Sequence, residues 1–253
     1  MALLEVKDVE VRFGGIVALS GLSFDIEEGQ ICGLIGPNGA GKTTMFNVIS
    51  RIYDPTQGTL RFDGNDLLTT KPHLIAETGI FRTFQNLALW PNMSVIENVM
   101  AGAHVRSKQN FFSAMLNIGR KKEEQALAVE AYTILVDLGL GDVAYMQCAG
   151  LPYGTLKRIE LARCLIGRPK LLMLDEPATG LTHSEVDELS KVIQKIRDDY
   201  NLTILLVEHH MGLVMSISER IVVLDFGRKI AEGLPGEIQE NPEVIKAYLG
   251  APA

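Results

Sequence analysis

Apolar and polar positions alternate, or β-forming residues cluster, over residues 4–13, 22–26 and 58–62. That spacing predicts strands, broken by turns at Glu28-Gly29 and Asp63-Gly64. The apolar run Ile31-Cys32-Gly33-Leu34-Ile35 reads as a buried strand, and Met45-Phe46-Asn47-Val48-Ile49 as the start of an amphipathic helix. The middle of the chain changes character. Ser94-Val95-Ile96-Glu97 is a capping box that opens a helix toward Ala103, and residues 111–138 hold long helix-forming stretches. The charge run Arg120-Lys121-Lys122-Glu123-Glu124 reads as a solvated helix face. Beyond Pro169, strand-like and helix-like segments alternate at 170–174, 185–198, 203–207 and 221–225, which implies parallel β–α units. The pattern predicts one α/β domain over residues 1–253. Its core is residues 1–86 and 161–233, with a helical insertion at 87–160 and a short helical tail at 234–253.

The 253 residues are 47% hydrophobic and 22% charged, the balance of an ordinary folded protein. A formal net charge of −7 argues against a general nucleic-acid binder, whose affinity leans on excess Lys and Arg. Cys32, Cys148 and Cys164 lack metal-ligand spacing and read as reduced, structural thiols of a cytosolic protein. Met1-Ala2-Leu3-Leu4 runs straight into the first strand pattern, so no secretory signal is expected. The longest apolar runs, such as 171–174 and 204–207, fall far short of the ~18 residues of a membrane helix. A membrane role is therefore expected to come through a partner.

Chemistry enters with Gly36-Pro37-Asn38-Gly39-Ala40-Gly41-Lys42-Thr43-Thr44, which fits G-x-x-x-x-G-K-[ST] between a predicted strand and a predicted helix. Glycines let backbone N–H groups turn inward around phosphates, and the helix N-terminus adds a favourable dipole. Lys42 is expected to reach the β- and γ-phosphates of a nucleoside triphosphate, and the Thr43 hydroxyl to ligate magnesium. Leu171-Leu172-Met173-Leu174-Asp175-Glu176 reads as a buried strand ending in two carboxylates, where ligands of parallel sheets bind. Asp175 would hold the magnesium, and Glu176, one residue further out, would orient and polarise an attacking water. Gln85 closes the strand-like run Ile80-Phe81-Arg82-Thr83-Phe84, from which it would reach the metal. His209 follows the apolar run Ile204-Leu205-Leu206-Val207 and Glu208, where a neutral imidazole would hydrogen-bond the γ-phosphate or the water. The neighbouring His210 is the alternative.

In this order, and over almost the whole chain, the motifs resemble the ATP-binding subunits of ABC transporters. Phe13, the 36–44 loop, Gln85, Leu151-Pro152-Tyr153-Gly154, Asp175-Glu176 and His209 carry the resemblance. The 151–154 element, just ahead of Lys157-Arg158-Ile159-Glu160-Leu161-Ala162-Arg163, looks like the signature that opens a helix and offers its N–H groups to a γ-phosphate. The resemblance implies a P-loop NTPase fold of the ABC type, α/β, with an N-terminal antiparallel β subdomain and an inserted helical subdomain. It implies ATP and Mg2+ as cofactors and Phe13 stacking on adenine. Gly36, Asn38, Gly39, Ala40, Gly41, Lys42, Thr43 and Thr44 would cradle the phosphates, with Thr43, Gln85 and Asp175 at the metal. Glu176 and His209 would be the catalytic pair. Tyr153 and Gly154 would meet the nucleotide of a second ABC ATPase subunit, paired head to tail as a homo- or heterodimer. The pair would drive transmembrane permease subunits from the cytoplasmic face of the membrane, with an extracytoplasmic solute-binding protein acting indirectly and no nucleic acid involved.

Finer features are similar to the ATPases of branched-chain (hydrophobic) amino acid importers: Arg12-Phe13-Gly14-Gly15, Arg82-Thr83-Phe84-Gln85-Asn86, Tyr153-Gly154 and the tail Asn241-Pro242-Glu243-Val244-Ile245-Lys246-Ala247-Tyr248-Leu249-Gly250. That branch also serves urea, short amides and aromatic acids. Residues 86–91 are expected at the permease docking surface, with Trp90 either a contact there or a buried anchor. Several positions depart from the family pattern. Pro152 and Tyr153 stand for Ser and Gly, Thr155 for Gln, Thr182 for Asp or Asn, and His210 for the Asp after the switch histidine. Thr182-His183-Ser184-Glu185 fits a capping box and so starts a helix instead. A soluble ABC-type ATPase of DNA repair or translation is the main rival, but about 65 residues between Gln85 and Leu151 are too few for a long coiled coil. A GTPase would show a guanine-reading Asn-Lys-x-Asp, and none occurs.

Overall fold

The structure, a computed structural model, describes residues 2–83, 87–106 and 120–249. Gln85, together with residues 107–119 of the expected helical insertion, lies outside the described residues. The first strands are β1 (Ala2–Phe13), β2 (Ile16–Glu27) and β3 (Ile31–Ile35), followed by helix α1 (Lys42–Ile49). Next come β4 (Gln57–Phe62), β5 (Asn65–Asp66), β6 (Ile80–Arg82) and the helices α2 (Val95–Ala101), α3 (Arg120–Asp137) and α4 (Tyr153–Leu165). The last part runs β7 (Leu171–Asp175), α5 (His183–Tyr200), β8 (Thr203–Val207), α6 (Met211–Ile217), β9 (Arg220–Asp225) and β10 (Arg228–Gly233). Two tail helices close the described chain, α7 (Pro235–Glu240) and α8 (Pro242–Leu249).

Among the described residues the strands form two sheets. One is antiparallel, in the order β2-β1-β4-β5; the other runs β10-β9-β3-β8-β7-β6. In the second, β3 pairs in parallel with both β8 and β9, β7 with β6 and β8, and only β10 is antiparallel. Period-two alternation explains how this sheet divides the interior. Ile31, Leu172, Leu174, Ile204, Leu206, Ile221 and Val223 face a core shared with α2–α6. Their strand neighbours Cys32, Leu34, Leu171, Met173, Leu205, Val207, Val222 and Leu224 face a second core, closed by α1 and the antiparallel sheet. Both faces are covered, so these strands carry near-continuous apolar runs. Cys32, Cys148 and Cys164 are free and buried, and burial pushes the Cys32 and Cys164 thiols up to about 12. That agrees with structural thiols.

Both predicted capping boxes form. Ser94 accepts from the Glu97 N–H while Glu97 accepts from the Ser94 N–H, and Thr182 and Glu185 do the same at α5. The helix at Ser94 is shorter than the path to Ala103: it stops at Ala101 and tightens into a 3₁₀ turn over 102–106. At that change Gly102 packs directly on α4, where a Cβ would stand 2.0 Å from the Arg163 carbonyl oxygen. Helix α4 runs through residue 160, so core and insertion share one rigid element. No helix among the described residues is long and apolar enough to cross a membrane.

Candidate nucleotide site

The phosphate loop lies between the end of β3 and α1, and α1 begins at Lys42 itself. Its glycines are needed for two reasons. Gly36, Gly39 and Gly41 have φ of 151°, 81° and 105°, a region that L side chains rarely adopt. A Cβ on Gly36 would also stand 2.1 Å from the Leu224 carbonyl of β9, and one on Gly41 2.9 Å from the Ala18 carbonyl of β2. The loop is thus pinned to both sheets. Lys42 is buried, and its Nζ donates to the carbonyls of Gly36 (2.6 Å) and Pro37 (3.0 Å), so the ammonium closes the loop on itself. Burial pushes the Lys42 pKa down, and the nearby Glu176 carboxylate opposes that shift.

Asp175 ends β7 and is buried. Its Oδ2 accepts from Arg82 Nη2 at 2.7 Å in a pair of which both members are almost wholly enclosed. Arg82 Nη1 also donates to Asn47 Oδ1 of α1 at 2.8 Å, and its guanidinium lies 5.3 Å from the Phe46 ring centroid. One side chain therefore ties the strand ahead of Gln85 to the phosphate-loop helix and to the carboxylate at the end of β7. Sequence reasoning placed Arg82 in that strand and gave it no role. The available signal was a guanidinium in an otherwise apolar strand, which needs a buried anion.

The other carboxylate oxygen, Asp175 Oδ1, is buried and has no hydrogen-bond partner among the described residues. An orphaned, hard oxygen at the end of β7 fits magnesium, which takes one or two carboxylates plus substrate phosphates rather than a protein cage. No group of three or more His, Cys, Asp or Glu among the described residues is arranged to hold a metal.

Glu176 follows in a left-handed conformation (φ 48°), fixed by its N–H donating to the Val207 carbonyl of β8 at 2.8 Å. Non-glycine residues in this region store strain and concentrate at working sites. Its Oε2 lies 3.8 Å from His209 Nδ1, and the imidazole is 60% exposed, so one edge is open to a ligand. His210 does something else: its Nδ1 accepts from the Leu213 N–H at 3.3 Å and caps α6. The geometry separates the two histidines, with His209 beside Glu176 and His210 at a helix start. Between strand and histidines sits Glu208, only 1% exposed, whose carboxylate bonds to main-chain amides on both turns. It too escaped the sequence reading.

Tyr153 and Gly154 open α4, as expected of a signature element. Tyr153 is half-exposed and receives the buried Lys157 ammonium 5.5 Å from its ring centroid. A Cβ on Gly180 would stand 3.2 Å from that ring and one on Gly154 2.9 Å from Glu185 Oε1, so this element packs on the segment after Glu176. Phe13 sits at the exposed tip of the β1–β2 hairpin, edge-on to Tyr53 at 5.0 Å. Trp90 is 50% exposed beneath the Arg163 guanidinium, which excludes the buried-anchor reading. The tail helix α8 lies close to the phosphate loop: Pro37, Asn38 and Gly39 share a cavity of about 540 Å³ with Glu243 and Lys246.

A phosphate loop, a strand-end carboxylate pair and a helix-opening Tyr-Gly on this two-sheet fold define an ATP-binding cassette. The ABC transporter family matches residues 19–179, and residues 228–253 match the family described as branched-chain amino acid ATP-binding cassette transporter. The chain is 44% identical over 250 residues to the high-affinity branched-chain amino acid transport ATP-binding protein BraF of Pseudomonas aeruginosa, covering 98% of each. It is 43% identical over 249 residues to the corresponding protein LivG of Escherichia coli (strain K12), again covering 98% of each. The ATP-binding cassette MJ1267 in its ADP conformation superposes with a TM-score of 0.86, at 26% identity and 99% coverage of each chain. The chain belongs to the ABC transporter family, as a nucleotide-binding ATPase subunit. These relatives are transport subunits, so the soluble repair or translation reading finds no support among them.

Proposed function

We propose that this chain hydrolyses ATP to power an importer of branched-chain or other hydrophobic amino acids, bound through permease subunits to the cytoplasmic face of the membrane. The observation that carries the catalytic part is the meeting of Glu176 and His209, from adjacent parallel strands, at the sheet end that holds the phosphate loop. Phe13 would stack on adenine, and residues 36–44 would hold the phosphates through backbone N–H groups and Lys42. Magnesium, when held by Thr43, Gln85 and Asp175, would offset charge on the β- and γ-phosphates. Glu176 would take the proton of an attacking water while His209 donates to the γ-phosphate. Tyr153 and Gly154 of one subunit would close on the nucleotide of the other, excluding water and strengthening each electrostatic contact. Residues 87–160 would act as the helical subdomain that meets the permease, with Trp90 in the contact.

The cargo rests on the relatives' names and on the tail match. Uptake of radiolabelled leucine by the native host tests it, with Lys42→Ala replacing the wild-type chain. Leucine uptake is expected to fall to the level of a strain lacking the chain. Unchanged uptake of leucine, isoleucine and valine would contradict the cargo.

A further inference from the structure

We infer that Glu208 is a positioning residue that sets Glu176 and His209 in register, and so governs turnover rather than nucleotide binding. The inference rests on the catalytic reading of those two residues given above. Glu208 follows directly on β8 as a buried carboxylate whose oxygens are met by main-chain amides on two different turns. Oε1 accepts from the Ala178 N–H at 2.7 Å, on the turn that leaves β7 two residues beyond Glu176. Oε2 accepts from the N–H groups of both His209 and His210 at 3.0 Å, on the turn that leaves β8. The Glu176 N–H bond to Val207 O is the second tie between the same turns. Together they clamp two strand ends whose side chains stand 3.8 Å apart.

The clamp extends further along the chain. Beyond Ala178 come Gly180 and Leu181, which pack against Tyr153 and Gly154. The Glu208 carboxylate thus joins two turns, that of Glu176 and that of His209, and the first of them runs on into the segment that packs against Tyr153 and Gly154. A carboxylate is required, because each of its oxygens accepts without offering a hydrogen. Glutamine has one acceptor oxygen and one NH₂, so it would satisfy one turn and point a donor at the N–H of the other. None of these contacts involves the phosphate loop, so nucleotide affinity is expected to be spared.

The test compares the full-length wild type with Glu208→Gln, His209→Ala and the double variant, measuring steady-state ATP hydrolysis and binding of a fluorescent ATP analogue. The expected result is a kcat at least ~10-fold lower for Glu208→Gln with KM and analogue affinity within about twofold. The double variant is expected to be no slower than His209→Ala within about twofold, because residues acting as one unit are not additive. Wild-type kcat in Glu208→Gln, or fully additive losses when His209→Ala is itself impaired, would overturn the inference alone. Wild-type kcat in His209→Ala would overturn the catalytic reading and this inference with it. Should Glu208→Gln fail to bind nucleotide, Glu208→Asp carries the same test, since the shorter carboxylate reaches only one turn.

Discussion

Glu176→Gln is expected to bind ATP with wild-type affinity and hydrolyse it roughly 10²–10⁴-fold more slowly, the usual contribution of a positioned general base. The substitution is nearly isosteric, and the Glu176 backbone is fixed by its bond to Val207, so the φ of 48° and the turn survive. What disappears is the proton acceptor beside His209. The phosphate loop keeps its geometry, because Lys42 closes it through the Gly36 and Pro37 carbonyls and not through Glu176. The measurement is single-turnover hydrolysis alongside equilibrium ATP binding. Hydrolysis within a few-fold of wild type would remove Glu176 from the role of base.

The second large effect is expected at Arg82, and it appears first as stability. Arg82→Ala strands the buried Asp175 carboxylate, whose Oδ1 already lacks a partner among the described residues. Removing one member of a buried pair costs about 3–5 kcal/mol, because the remaining charge stays desolvated. At roughly 2–4 °C per kcal/mol for a chain of this length, melting shifts down on the order of 10 °C. Two further outcomes distinguish charge from packing. Arg82→Met/Asp175→Asn is expected to recover most of the loss, since neither charge is left buried alone. Magnesium with ATP is expected to raise the melting temperature of Arg82→Ala more than that of wild type, because a cation at Asp175 replaces the lost guanidinium. A melting shift below about 2 °C in Arg82→Ala would mean that the pair does not hold the site together.

How far the sequence carried the fold depended on whether a segment's pattern followed from burial. The five-residue runs of β3, β7 and β8 are buried at every position, and their apolar sequences, interrupted only by Asp175 and Thr203 at strand ends, were legible for that reason. The caps at Ser94 and Thr182 were legible because each is a local exchange of hydrogen bonds. Strand β10 was not: Arg228-Lys229-Ile230-Ala231-Glu232-Gly233 is an edge strand with no buried residue, so no apolar period marks it. Its hairpin turn is hidden as well. Phe226 and Gly227 both have positive φ, a two-residue turn usually signalled by Asn-Gly, and here an 86% exposed Phe occupies the first place.

At the site, the phosphate loop and the Asp175-Glu176 pair could be read from local order along the chain. Arg82 and Glu208 could not, because the bonds that matter cross between strand ends: Asp175 lies 93 residues from Arg82, and Ala178 lies 30 from Glu208. Nor does local order distinguish the neighbouring histidines, of which His210 caps α6 and His209 lies beside Glu176.

The most direct test of the central claim is a tagged pull-down of the Glu176→Gln chain, with ATP present to hold the closed pair, from detergent-solubilised membranes of the native host. Recovery of polytopic membrane proteins together with an ATPase partner, this chain or a related one, is the expected result. Recovery from the soluble fraction alone, with nucleic acid or ribosomes, would contradict it.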